Sequence, residues 1–309
     1  MRIALIGQRD LGRAVLEAFL ERGDTVAGVF CAPERPGAPA DALHAAARER
    51  GVPVNQFPSL ASAAAEAAIR TLDVDLGVMA DALQYASQAF VAAPTLGTIQ
   101  FHPALLPRYR GPSALSWPIL KGEAETGLTV CRPAEGYNEG PVILQRTYPI
   151  GPHDTRGDLE RALLPLGVEA LLEAADLILA DEHVEIDQDE DAATYEGWFR
   201  GEQAEIRWAS HAELIYNLIR AANPHPGAWT TLNGRMLRIL DVRLHAVHRQ
   251  GHVRGRPGEV VGIDGDGFCV CAQGGRIEVQ TVRPEGGETV SAVAFARGGG
   301  IAVGSVLGT

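Results

Sequence analysis

The chain opens with RIALIG, residues 2–7, a run with apolar residues on both alternating faces. A strand that is apolar on both faces is expected where a sheet is covered on both sides. QRDLGRAVLEAFLERG follows, with Leu11, Val15, Ala18 and Phe19 spaced along one helical face. DTVAGVF then returns to a strand pattern. The alternation continues with a helix over 39–50, a strand VPV at 52–54, a helix over 61–71, and strands LGVMA at 76–80 and TIQFH at 98–102. Strands separated by amphipathic helices predict parallel pairing through crossover connections. The expected fold class is therefore α/β: a Rossmann-like, mostly parallel sheet with helices on both faces.

The second half changes character. Residues 155–180 read as one long alanine/leucine helix, with Asp154 and Thr155 as its cap. EIDQDEDAATYEGWFRGEQA is acidic and rich in turn residues, as in a linker. AEIRWASHAELIYNLIRAA predicts a short strand and a helix. From Arg235 onward, short strands alternate with glycine-rich turns such as IDGDGF and AQGGR, which predicts a small antiparallel barrel or open sheet. The expected organisation is a catalytic domain over 1–187, a linker over 188–203, and a C-terminal domain with a helix and an antiparallel β-barrel over 204–309. No internal repeat is present.

Composition narrows the function classes. The net charge is −12, with Lys+Arg 27 against Asp+Glu 39, and Lys121 is the single lysine. Nucleic-acid binders neutralise phosphates with basic side chains, so a small-molecule partner is favoured over nucleic acid. No apolar run approaches the length of a membrane span. The start, MRIALIGQRD, does not resemble a signal peptide, and a cytoplasmic location is expected. Four cysteines are too few for a disulfide framework at this length. Cys31 and Cys131 lie in strand-like runs. Cys269 and Cys271 share one strand face without a zinc spacing. All four are read as buried reduced thiols, and no metal site is expected. Nothing in the sequence indicates an oligomeric state.

Gly7-x4-Gly12 is a loose match to a nucleotide-binding turn. It is not GxGxxG, and no acidic residue closes the second strand, which ends Val29-Phe30-Cys31. Helix–sheet packing accounts for both glycines, and a dinucleotide site is not expected.

The chemistry concentrates in GTIQFHPALLPRYRG, residues 97–111. In an open parallel sheet, ligands bind beyond the carboxyl ends of the strands. His102 is the last residue of such a strand, and Gln100, two residues earlier, shares its face. An imidazole placed there suits general acid–base catalysis or stabilisation of a developing oxyanion. The Gln100 carboxamide suits donation to the same oxygen. Pro103 and Pro107 stiffen the departing loop.

The run HPALLPRYRGPSALSWPILKGEAETGLTV and the later AEGYNEGPVILQ resemble the folate-dependent formyltransferase family, whose signature is HxSLLPxxRG followed by a Leu-Asp-x-Gly segment. MRIALIGQRDLG, GVPVNQFPSL, ATYEG and HPGAWTTLNGRML are most similar to the hydrolase domain of 10-formyltetrahydrofolate dehydrogenase. The segment from PGEVVGIDGDGF onward resembles the C-terminal domain of methionyl-tRNA formyltransferase. The resemblance implies 10-formyltetrahydrofolate as cosubstrate and catalysis by three positions: an Asn two before the His, the His itself, and an Asp that orients the His. Here those positions hold Gln100, His102 and Asn138, and Ala104 stands where the signature has serine. Gln100 keeps an amide donor with a longer reach. Asn138 carries no charge and cannot raise the basicity of His102; removing an orienting carboxylate beside a catalytic His cost about 10⁴ in serine proteases. Glu139 is the neighbouring carboxylate, available only if the loop turns it inward. If the family geometry is inherited, Asn138→Asp is expected to raise activity.

The resemblance also places the pterin against the backbones of Ala82, Leu83 and Gln84 and of Glu135, Gly136, Tyr137 and Asn138, with Leu105 and Met79 as further lining candidates. Met79 suits core packing equally. Arg108 and Arg110 are either contacts for an anionic tail or exposed loop arginines. The loop PERPGAPADAL lacks the basic run that methionyl-tRNA formyltransferases carry there, and no counterpart of the dehydrogenase's carrier and aldehyde-dehydrogenase domains is seen. The expected outcome is formate release, or transfer of the formyl group to a small acceptor such as a sugar or amino-acid amine. Two alternatives stay open: another one-carbon reaction, or a folate-binding protein without catalysis.

Overall fold

A computed structural model describes residues 1–34, 37, 39–246 and 255–309. In chain order the elements are β1 (Arg2–Gly7), α1 (Arg9–Arg22), β2 (Thr25–Cys31), α2 (Ala42–Glu49), β3 (Val54–Gln56), α3 (Ala63–Thr71), β4 (Leu76–Ala80), α4 (Gln88–Val91), β5 (Thr98–His102), α5 (Ser116–Lys121), β6 (Glu125–Cys131), β7 (Val142–Pro149) and α6 (Arg156–Leu179). There follow α7 (Ala212–Ala222), β8 (Ala228–Leu232), β9 (Arg235–Ile239), β10 (Val242–Ala246), β11 (Val260–Asp264), β12 (Gly267–Ala272), β13 (Gly275–Val279), β14 (Thr281–Pro284), β15 (Val290–Ser291) and α8 (Ala292–Arg297).

The contacts divide the chain into two compact units. The first comprises 1–114, 125–149 and 161–196, and the second 115–124, 150–160 and 197–309. The first holds a seven-stranded sheet in the order β3-β2-β1-β4-β5-β6-β7. β1 to β5 pair in parallel, while β6 runs antiparallel to both β5 and β7. The expected mostly parallel, helix-covered sheet is therefore present. The second unit holds two four-stranded antiparallel sheets, β10-β13-β12-β11 and β15-β14-β9-β8, where the sequence predicted a small antiparallel barrel or open sheet.

The sheet's two faces are packed differently, and that decides where His102 points. On one face Ala4, Ile6, Phe30 and Met79 form a core with Leu60, Ile69 and Phe90. On the other face Phe101 lies against Gly167 of α6; a Cβ at Gly167 would come within 2.7 Å of the Phe101 ring. Strand alternation then puts Gln100 and His102 on the Met79 side. Met79 is the register partner of Gln100 and is only 8% exposed within that core. It is a packing residue, the alternative the sequence left open.

Several predicted boundaries moved; α3, expected from residue 61, begins at Ala63 after Ser62, whose hydroxyl accepts from Ala65 N. α2 begins after Asp41, whose carboxylate accepts from Leu43 N, so Pro39 and Ala40 remain outside the helix. β3 begins at Val54 and not at Val52, because the Val52 N–H closes the end of α2 on the carbonyl of Ala47. In the loop 33–43, residues 35, 36 and 38 lie outside the described residues.

Candidate active site

β5 carries the site past its neighbour. The last β4–β5 pair is Met79–Gln100, so Phe101 and His102 extend beyond the paired end of β4. On the other side His102 faces Thr129 of β6, and Gln100 faces Cys131. This is where the sequence reading placed a strand-end imidazole.

His102 is buried, 5% exposed, and is capped by the loop it introduces. Its Nε2 lies 2.8 Å from the carbonyl oxygen of Tyr109. A carbonyl only accepts, so Nε2 carries the hydrogen. Burial pushes the imidazole down to about 4, against a smaller upward pull from the Tyr109 carbonyl. At neutral pH the ring is therefore uncharged, with its lone pair on Nδ1. Among the described residues Nδ1 makes no hydrogen bond.

Gln100 and Asn138, 38 residues apart in sequence, are joined directly. Gln100 Nε2 donates to Asn138 Oδ1 at 2.7 Å and more weakly to the Cys131 sulfur at 3.5 Å. Asn138 Nδ2 donates to the carbonyl of Arg110 at 2.5 Å. The two consecutive carbonyls of Tyr109 and Arg110 are thus held by His102 and Asn138. The orienting of His102, assigned by the resemblance to position 138, is done here by the Tyr109 carbonyl; no hydrogen bond joins His102 to Asn138. Tyr109 and Asn138 both adopt left-handed backbone, with φ of 61° and 57°. A bulky residue there costs on the order of 1–3 kcal/mol and persists only where the surroundings enforce it.

Those surroundings are explicit. Thr129 Oγ1 donates to Ala104 O at 2.6 Å and accepts from Leu106 N at 3.2 Å, while Gln145 Nε2 donates to Leu106 O at 2.9 Å. Further along, Thr194 Oγ1 accepts from Tyr109 N at 2.9 Å, and Arg110 N donates to Thr194 O at 2.9 Å. Arg110 is not an exposed loop arginine. It is 5% exposed and paired with both carboxylate oxygens of Glu190 at 2.6 and 2.9 Å. The Glu190 hydrogen bond raises its already high pKa, with a further contribution from Glu139, so its charge is satisfied within the protein and does not face a ligand tail. Arg108 is exposed and stacks over the Tyr109 ring at 5.1 Å.

The remaining candidates separate. Glu135, Gly136 and Tyr137 lead into Asn138, and Tyr137 is 63% exposed, 6.1 Å from the Tyr195 ring. Glu139 is exposed and folds over Gly136, where a Cβ would meet its carboxylate at 2.0 Å; it makes no hydrogen bond to His102. Ala82 packs on the core, and Gln84 Nε2 is bound to Phe57 O at 2.5 Å. Of that segment only Leu83, 48% exposed, presents its side chain. Leu105 fills the space left by Gly127, where a Cβ would lie 2.5 Å from it.

Sequence reasoning missed the contribution of residues 188–196, read as part of a linker. They are bonded to the site loop, and Thr194 lies in the ATYEG segment already singled out by resemblance. Packing accounts for Gly7, as the sequence reading allowed. A Cβ on Gly7 would sit 1.9 Å from Ala80 O, and the start of α1 is met by Asp41, whose oxygens accept from Arg9 N at 3.0 and 3.1 Å. All four cysteines are free thiols. Among the described residues no His/Cys/Asp/Glu cluster suits a metal ion, and no helix is long and apolar enough to cross a membrane.

Comparison with known proteins agrees in both halves. A family described as formyl transferase matches residues 1–175, and its C-terminal domain matches 200–300. The human mitochondrial 10-formyltetrahydrofolate dehydrogenase is 37% identical over 244 residues, covering 77% of this chain and 26% of that protein. The chain thus spans about a quarter of that relative's length. The methionyl-tRNA formyltransferase of Anaeromyxobacter dehalogenans is 36% identical over 304 residues, covering 96% of this chain and 97% of the other. HypX from Aquifex aeolicus, solved with tetrahydrofolic acid, shares the fold with a TM-score of 0.68 at 20% identity, over 95% of this chain and 46% of that one.

Proposed function

Since this chain belongs to the formyl transferase family, which uses 10-formyltetrahydrofolate, we propose that it transfers the formyl group of that cosubstrate to a small nucleophilic acceptor or to water, through His102, Gln100 and Asn138. The observation that carries the proposal is the bond between Gln100 and Asn138 beside the strand-end imidazole. It joins two of the positions to which the resemblance assigns chemistry, 38 residues apart, and the third lies two residues further along β5.

The residues present fit the cosubstrate. Exposed Leu83 and Tyr137 offer apolar surface, the segments 82–84 and 135–138 offer backbone donors and acceptors, and Nδ1 of His102 is unpaired. When bound, the cosubstrate supplies an electrophilic formyl carbon. His102 acts as general base through Nδ1, taking the proton of the attacking nitrogen or oxygen and returning it to the departing nitrogen. Nε2–H stays on the Tyr109 carbonyl and keeps the tautomer that leaves Nδ1 open. Gln100 supplies the oxyanion donor: its second N–H rests on the Cys131 sulfur at 3.5 Å, a weak acceptor, and exchanges it for a developing oxyanion. Asn138 is an orienting amide that fixes the Gln100 carboxamide and does not take a proton.

The test uses the full chain with 10-formyltetrahydrofolate, with and without amines, and follows tetrahydrofolate formation. Turnover lost in His102→Ala with tetrahydrofolate binding retained supports the reading. Unchanged turnover in that variant, or tight binding with no turnover under any acceptor, refutes it. A second reading, an aminoacyl-tRNA acceptor, is favoured by the similarity to a methionyl-tRNA formyltransferase over 96% of this chain. The net charge of −12 and the single lysine favour the small acceptor. An arm containing methionyl-tRNA separates the two.

A further inference from the structure

Gln188 stands out in its segment. From Val184 to Glu190 every residue is exposed except Gln188, which turns inward. Its amide is used at both ends. Oε1 accepts from Arg110 Nε and Nη2 at 3.1 and 3.0 Å. Nε2 donates to the carbonyls of Asn138 and Gly140 at 2.8 and 2.7 Å. The orientation admits no exchange of oxygen and nitrogen, because a guanidinium only donates and a carbonyl only accepts. Glu190 takes the other edge of Arg110 through both of its oxygens, so the charge of Arg110 is met without Gln188.

Only Gln188, among the described residues, bonds by its side chain to both the Arg110 side chain and the 138–140 turn. The same loop and the same turn meet again where Asn138 Nδ2 reaches the Arg110 carbonyl. We propose that Gln188 is a positioning residue that locks the turn carrying Asn138 to the loop carrying Arg110, and thereby sets the Asn138 carboxamide against Gln100. The assignment rests on the formyl-transfer reading for its kinetic consequence, while the coupling itself is a property of the fold.

Gln188→Glu decides it. Glutamate keeps the acceptor toward Arg110 and adds a favourable charge, but it loses both donors and turns a carboxylate oxygen on two carbonyls. If Gln188 merely held Arg110, Gln188→Glu would equal or exceed the parent. As a positioning residue it fails like Gln188→Ala: kcat for tetrahydrofolate release falls about tenfold or more, as expected when a reacting group is displaced by a fraction of an ångström, while KM for 10-formyltetrahydrofolate stays within about threefold. In the isotopically labelled full chain, the side-chain NH2 resonances of Gln100 and Asn138 move in both variants. Parental kcat with unmoved resonances in Gln188→Glu overturns the proposal, as does a lowered melting temperature unaccompanied by either change. If the parent chain turns over no 10-formyltetrahydrofolate with any acceptor, the formyl-transfer reading fails by itself. The resonances then decide alone: displaced, they support the coupling; unmoved, they overturn it.

Discussion

Asn138→Asp asks whether position 138 is suited to a carboxylate or to the amide it holds. The resemblance alone expects the aspartate to raise activity. The hydrogen bonds argue for the reverse. Asn138 presents an acceptor to Gln100 and a donor to the Arg110 carbonyl at 2.5 Å. Aspartate keeps the first and loses the second, and places a carboxylate oxygen against a carbonyl whose residue is 5% exposed. Leaving a buried acceptor without its donor costs roughly 1–3 kcal/mol, and making the Gln100 bond charge-assisted returns roughly 1 kcal/mol. The difference of the two centres on a loss of about 1 kcal/mol at neutral pH, or a melting temperature lower by roughly 2–4 °C for a domain of this size. The carboxyl facing a carbonyl has its pKa raised above the ordinary aspartate value near 3.9. The folded state then binds the proton more tightly than the unfolded state. The deficit is full above the folded pKa and shrinks as pH falls through it, since a protonated carboxyl donates to Arg110 again. Thermal denaturation of parent and variant at pH 7.5 and pH 5, with tetrahydrofolate release assayed alongside, checks each step. A variant as stable as the parent at pH 7.5, or one with faster turnover, would refute the reasoning.

Two further outcomes follow from burial. With His102 held down to about 4 against about 6.5 when unfolded, the folded state binds fewer protons across that window. Stability is level above roughly pH 6.5 and declines as pH falls toward 4, by an amount on the order of 3 kcal/mol. Urea titrations of the parent should show a steeper decline over that window than His102→Gln, and equal slopes would contradict the assignment. Burial also pushes the Cys31 and Cys131 thiols up to about 11 and 12 and raises Cys269 and Cys271. Only Cys269 is partly exposed. An aromatic disulfide reagent should therefore find at most one readily reacting thiol in the native chain and all four after unfolding; two fast native thiols would be inconsistent with this packing.

The strands LGVMA and TIQFH were readable to the residue, the first as an apolar run between Asp75 and Asp81 and the second from its limits at Gly97 and Pro103. The long helix was readable too. Thr155 and Asp158 close its start reciprocally, at 3.2 Å and 2.9 Å. The Gln100–His102 face followed from strand period alone. The loop's bracing did not. Arg110, Gln188, Glu190 and Thr194 meet across some eighty residues, and their stretch carries no apolar periodicity, only acids and turn formers that look the same when solvated. Nor was the acceptor of the Asn138 Nδ2 legible, because it is a main-chain carbonyl, which leaves no mark on the residue that bears it.

The carboxylate of Asp41 on the first turn of α1 has a wider meaning. In nucleotide-binding relatives of this architecture that helix end attracts a phosphate from solution. Here the counter-ion is tethered to the same chain, at an effective concentration no free anion matches. A visiting phosphate would have to evict a resident that never diffuses away. The chain's own carboxylate thereby holds the place on α1 that a phosphate would otherwise take.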